Sequence, residues 1–200
     1  MCAIRRFGMG SPREMNTNQA HIDFKNEIFP FDVVKRCQDG DTKAMEAVYK
    51  GSKSSLFNLA YRFSHNHSSA EDLLQEIYIK IFSQIKKLRS PEKFKSWMYR
   101  IAINTCISFT RKKGVRKEVF FSDIEEMYGH EEDNSFARKY LEQAIYFLPP
   151  KQKSIFLLHD VQGFTHAEIA GIMKLKEGTI KSQLFKARMK LREYLGEQEQ

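Results

Sequence analysis

Apolar residues from Phe31 onward recur at three- and four-residue intervals, and no stretch sustains the strict alternation that a half-buried strand requires. Glycine and proline punctuate this helical rhythm at Gly40, Gly51, Pro91, Gly114, Gly129, Pro149 with Pro150, Gly163 and Gly178. The chain is therefore expected to be all-α, built from short helices. Its 200 residues with 42% hydrophobic content can form one medium core or two small ones. The placement of charge favours two.

Lys80 to Lys117 holds twelve basic residues against the single acid Glu92. The following stretch, 118–135, carries seven acids (Glu118, Asp123, Glu125, Glu126, Glu131, Glu132 and Asp133) and no Lys or Arg. Such a reversal reads as a solvated acidic linker between two basic helical domains. The formal net charge of +8 suits a polyanionic partner, without separating DNA from RNA or an anionic membrane. Cys2, Cys37 and Cys106 are odd in number and outside any Cys-x-x-Cys spacing, so neither a disulfide framework nor a zinc site is expected, and a reducing cytoplasm fits. No run approaches the roughly 20 apolar residues that span a bilayer, so no membrane insertion is expected. Residues 1–27 mix Gly, Ser, Pro, Asn and charges without period and read as a flexible tail, within which Met15 is as good a start as Met1.

Asp41 is placed to cap a helix covering Ala44, Met45, Val48 and Tyr49, and Ser54 or Ser55 to cap another covering Leu56, Leu59, Ala60 and Phe63. Ser68 or Ser69 precedes Glu71 and Asp72, acids that suit a helix N-terminus. In the helix from Glu71 to about Lys87, a turn of about 100° per residue puts Leu74, Ile77, Tyr78, Ile81 and Ile85 on one stripe. Asp72, Gln75, Glu76, Ile79 and Ser83 share the opposite face. Ile79 there is either an ordinary exposed apolar residue or the anchor of a partner surface ringed by acids and amides. A basic loop, Lys86 to Lys95, leads into a helix from Ser96 to about Lys113, with Arg100, Asn104, Ser108 and Arg111 recurring along one side. Aromatics beside cations suit single-stranded nucleic acid, because bases stack on rings while Lys and Arg follow phosphates. Phe94 and Trp97 fit that role or an ordinary place in the core.

Beyond the linker, Phe136 to Phe147 and a segment opening at Pro150 and ending at Gly163 are helical. Thr165 with Glu168 has capping-box spacing, and Ile169, Ala170 and Met173 are expected to face inward. A tight turn over Leu175, Lys176, Glu177 and Gly178 then leads to a helix from Thr179 to Leu195 with Ile180, Leu184, Ala187 and Leu191 inside. This is a helix-turn-helix, and its second helix offers Lys181, Ser182, Gln183, Phe185, Lys186 and Arg188. Arg and Lys donate to guanine, Gln pairs with adenine, and an aromatic touches the thymine methyl in the major groove.

Three segments together resemble the extracytoplasmic-function group of bacterial RNA polymerase sigma factors, over about Phe31 to Leu195. Ala70-Glu71-Asp72-Leu73-Leu74-Gln75-Glu76-Ile77-Tyr78-Ile79-Lys80 looks like the helix that binds the polymerase clamp. Phe94-Lys95-Ser96-Trp97-Met98-Tyr99-Arg100-Ile101-Ala102-Ile103-Asn104 is similar to the segment that melts the promoter and captures a minus-ten base. Gly178-Thr179-Ile180-Lys181-Ser182-Gln183-Leu184-Phe185-Lys186-Ala187-Arg188 resembles the minus-thirty-five recognition helix. The resemblance implies a tail (1–27), a region 2 domain (28–115), an acidic linker (116–135) and a region 4 domain (136–197). It implies core binding by Asp72, Gln75, Glu76 and Ile79, and minus-ten binding by Arg89, Lys93, Phe94, Trp97, Arg100, Asn104 and Arg111. Minus-thirty-five binding falls to Lys181, Ser182, Gln183, Phe185, Lys186 and Arg188. Ser108 stands where the family usually has Asp, and Gln183 where it often has Arg. The implied partners are RNA polymerase core, through its clamp and flap surfaces, promoter DNA and, as an additional partner, an anti-sigma factor.

Two other readings use less of the chain. A helix-turn-helix regulator acting without polymerase accounts for the C-terminal part alone. A zinc enzyme is suggested by His166-Ala167-Glu168, but the Pro-Cys-x-x-Cys partner of that motif is missing. No catalytic centre, metal or cofactor is expected.

Overall fold

A computed structural model describes residues 29–113 and 135–196. The expected tail and nearly all of the acidic linker lie outside them. Every regular element among the described residues is helical. The first region comprises α1 (Phe31–Gln38), α2 (Thr42–Ser64), α3 (His67–Gln84) and α4 (Phe94–Lys113), with 3-10 turns at Ile85–Lys87 and Pro91–Lys93 between the last two. The second comprises α5 (Ser135–Phe147), α6 (Pro150–Phe156) running into one π-helical stretch at Leu157–Val161, α7 (His166–Met173) and α8 (Glu177–Gly196).

Local chemistry sets most boundaries. The Asp41 carboxylate accepts from the Lys43 and Ala44 amides at 2.8 and 3.2 Å, capping α2 as expected. Arg36 donates to the same carboxylate and holds its pKa below the usual range, with the Ala44 amide adding to the effect. Contrary to expectation, α2 does not restart at Ser54 or Ser55. It runs unbroken through Gly51 because Gly51 and Ser52 are buried. The Ser52 hydroxyl bonds the Val48 carbonyl and meets the Tyr78 hydroxyl of α3 at 2.8 Å. Tertiary packing thus offsets the roughly 1 kcal/mol that a helical glycine costs. The cap of α3 is Asn66, whose Oδ1 accepts from the Ser69 amide at 2.9 Å, rather than Ser68 or Ser69.

In the second region the Thr165–Glu168 capping box forms in both directions. The inward residues of α7 are Ile169 and Ile172; Ala170 and Met173 are only half-buried. The turn between α7 and α8 closes differently from expectation. Lys174 takes the left-handed conformation at φ 54° and Gly178 lies within α8. The Lys176 carbonyl already accepts from both Thr179 and Ile180, which starts the helix before the glycine.

The two regions share one apolar core that runs from Val34 to Leu191. Tyr99 of α4, fully buried, meets Phe164 edge-on at 5.1 Å, and its hydroxyl donates to the Gln162 side chain at 2.6 Å. Across the other end, Arg62 of α2 grips Glu142 of α5 with Nε and Nη2 at 2.7–3.2 Å.

Candidate polymerase and nucleic-acid interfaces

On α3 the predicted division of faces holds. Leu74, Ile77, Tyr78, Ile81 and the adjoining Ile85 are buried, whereas Asp72, Gln75, Glu76 and Ile79 are exposed. Ile79 leaves 62% of its surface in water, on the face that also carries Asp72, Gln75 and Glu76. Glu76 is tied to Lys80, whose ammonium also reaches the Thr105 hydroxyl of α4 at 3.1 Å. An apolar side chain inside a polar ring has the composition of a partner surface.

The melting-segment residues divide into a wet group and a buried one. Arg89, Lys93, Asn104 and Arg111 are exposed, and Trp97 and Arg100 half-buried. Phe94 is only 1% exposed, so its reading as a DNA-facing aromatic is corrected. It packs edge-on against Phe29 at 5.2 Å and beside Trp97 at 6.0 Å, seating the start of α4 in the core. Periodicity left that choice open, because an aromatic next to lysines fits a stacking platform and a core plug equally well. Trp97, packed against the core yet partly exposed, remains the aromatic on this face.

On α8, Ile180, Leu184, Ala187 and Leu191 are buried as predicted, and Lys181, Ser182, Phe185 and Lys186 point outward. Phe185 is 65% exposed. Lys181 pairs with Glu177 at 2.8 Å and the Ser182 hydroxyl donates to the Thr179 carbonyl at 3.0 Å, both within the same helix, whereas Gln183 and Arg188 are engaged by residues of other elements. Gln183 accepts from the Gln152 amide at 3.2 Å. Arg188 binds Asp160, with Nε to Oδ2 at 3.1 Å. Burial tends to raise the Asp160 pKa, but its bonds from Arg188 and His159 outweigh that and hold it below the usual carboxylate range. DNA contact by Arg188 therefore competes with an ion pair across 28 residues, which no local pattern announces.

Sequence reasoning also missed the polar cluster between the regions. Lys153 is buried; its ammonium donates to the Arg62 carbonyl at 3.0 Å and lies 5.4 and 5.3 Å from the ring centres of Phe63 and Tyr146. Burial lowers its pKa to about 8 although Glu142 pulls the other way. His65 packs edge-on against Tyr146 at 4.3 Å, and burial, aided by Lys153, lowers its pKa to about 3. Among the described residues no group of three or more His, Cys, Asp or Glu is arranged to hold a metal ion, and no helix is long and apolar enough to cross a membrane.

Comparison with known proteins follows the same division. Residues 48–116 match the family described as Sigma-70 region 2, and residues 138–191 match Sigma-70, region 4. The RNA polymerase sigma factor SigV of Bacillus subtilis is 31% identical over 135 residues, covering 68% of this chain and 81% of that protein. The ECF RNA polymerase sigma factor SigE of Mycolicibacterium smegmatis is 30% identical over 166 residues, 78% of this chain, which spans only 64% of that longer protein. A solved structure of the sigma factor RpoE from Bartonella quintana, in complex with the anti-sigma factor NepR, superposes with a TM-score of 0.63 at 25% identity, covering 78% of this chain and 98% of that one. With both regions present in order, the helix faces disposed as described and the relatives agreeing, the chain belongs to the extracytoplasmic-function group of bacterial RNA polymerase sigma factors.

Proposed function

We propose that this sigma factor binds RNA polymerase core in the cytoplasm, directs it to particular promoters and helps to open the DNA, with no chemistry of its own. Asp72, Gln75, Glu76 and Ile79 form the core-binding face. Arg89, Lys93, Trp97, Arg100, Asn104 and Arg111 take the minus-ten strand, and Phe94 supports them from beneath. Lys181, Ser182, Phe185 and Lys186 enter the major groove of the minus-thirty-five element, with Gln183 and Arg188 joining once Gln152 and Asp160 release them. Unstacking a base costs a few kcal/mol, which stacking on Trp97 and phosphate contacts to the basic loop offset. The residues 28–115 and 136–197 are the working domains, and the acidic 116–135 connects them. An anti-sigma partner belongs to the same proposal, because the solved relative from Bartonella quintana is held by one.

The observation that carries this reading is the exposure of Ile79 within its acidic and amide ring, a surface that a DNA-binding regulator working alone has no use for. The test is transcription by purified core polymerase on a genomic fragment library with and without the protein. New start sites that depend on the protein are expected; none would overturn the assignment. On those promoters Asp72→Ala should weaken core association, and Lys186→Ala should instead weaken minus-thirty-five-dependent binding by about 1 kcal/mol or more. Exchange of the two defects would reverse the allocation of roles. Tight duplex binding without polymerase would favour an independent regulator.

A further inference from the structure

Between Gln84 and Phe94 the α-helical path gives way to two 3-10 turns, Ile85–Lys87 and Pro91–Lys93, joined by Leu88, Arg89 and Ser90. Within that stretch, Leu88 donates to the Ile85 carbonyl at 3.0 Å and Lys93 to the Ser90 carbonyl at 2.9 Å, each closing one short turn. The long-range tie comes from α1. The Gln38 side-chain amide donates to the Leu88 carbonyl at 2.7 Å and to the Ile85 carbonyl at 3.1 Å, bridging 50 and 47 residues. Two further contacts make α1 a rigid support. Val34 and Cys37 on its inner side are fully buried, and Phe29 just before it packs edge-on against Phe94 at the far end of the stretch. Gln38 thus pins the beginning of the loop and Phe29 its end. Arg89 and Ser90 lie between these anchors, beside an open groove of about 870 Å³ that Gln38, Lys35 and Lys86 also line.

We infer that Gln38 is a positioning residue for minus-ten recognition: it holds the Ile85–Ser90 backbone in the conformation in which Arg89 and its neighbours receive the opened strand. This rests on the sigma-factor reading above. A loop ordered in advance does not surrender its conformational freedom at the moment of binding, so loss of the support weakens recognition without removing any group that touches DNA. A carboxamide suits the task because its NH2 has two donors and two carbonyls face it. Asp39 and Glu92, which share the groove, cannot replace it, since carboxylates offer no proton to a carbonyl.

The test uses holoenzyme assembled from polymerase core and the full chain, on the strongest promoter found in the library experiment. The readout is the ratio of open-complex formation rates on that promoter and on a copy with its minus-ten bases substituted. A variant that merely lowers the folded fraction scales both rates and leaves the ratio alone. For Gln38→Ala, and for Gln38→Met, which keeps the length and apolar packing but has no donor, the ratio should fall roughly tenfold, the effect expected for two hydrogen bonds to partly buried carbonyls. Core affinity and minus-thirty-five-dependent closed-complex binding should stay at the wild-type level. An unchanged ratio in the Met variant overturns the positioning role, even if the Ala variant is unstable. Absence of any start site with the wild-type chain is a different result, and it removes the sigma-factor reading itself.

Discussion

His65 closes α2 in the left-handed conformation, at φ 50°, and its ring meets Tyr146 edge-on while its Nε2 lies 3.5 Å from the ammonium of the buried Lys153. Its folded pKa of about 3 lies below the ordinary 6.5, with burial the main cause. Between those values the unfolded chain binds a proton that the folded chain refuses, so stability is complete above pH 6.5 and falls as the solution is acidified toward pH 3. By pH 4.5 this single group should cost about 2–3 kcal/mol. His65→Asn keeps a residue that tolerates left-handed backbone and should remove that part of the acid loss. Denaturant unfolding at pH 7 and pH 4.5 measures it; equal losses in the two proteins would show that His65 is not responsible.

At the level of elements, capping decides where helices begin, and it separates readings that composition cannot. Asn66, not Ser68, accepts the first amide of α3. Asn66→Ala should therefore destabilise the protein by about 1 kcal/mol, while Ser68→Ala stays within about 0.5 kcal/mol of wild type. The Thr165 hydroxyl accepts from the Glu168 amide, and the Glu168 carboxylate accepts from the Thr165 amide at 2.8 Å. Thr165→Ala should cost about 1 kcal/mol and show first as faster amide exchange at the start of α7. Unaltered exchange there would mean that α7 is held by its packing on α8 and not by its cap.

For the whole molecule, the join between the regions is polar at one end and apolar at the other. Arg62 and Glu142 keep only 14% and 8% of their side-chain surface exposed. Removing one partner of such a pair strands a buried charge, so Glu142→Gln should cost about 3–5 kcal/mol, whereas replacing both with apolar residues of similar volume should recover much of the loss. Thermal unfolding provides the energies, and solution scattering of the intact chain the accompanying loosening. A Glu142→Gln protein as stable and compact as wild type would show that the Arg62–Glu142 pair is not what holds the regions together.

Helix content, the buried stripes of α3 and α8 and the exposed face around Ile79 were legible in the sequence because they depend on spacings of three and four residues within one element. The capping box was equally local. What periodicity could not decide was any choice between neighbours or across distance. Ser54 and Ser55 looked like a helix start until α3 packed on Gly51 and Ser52. Phe94 fitted a stacking ring and a core plug equally well until Phe29 covered it. Gln38, Asp160 and Glu142 gave no signal at all, since their partners lie 47–50, 28 and 80 residues away. The sequence by itself determined which helices form and which of their faces are apolar, since backbone geometry repeats every few residues. Only the tertiary structure decided which polar groups meet and which aromatics are hidden, since those contacts exist only once distant segments share a core.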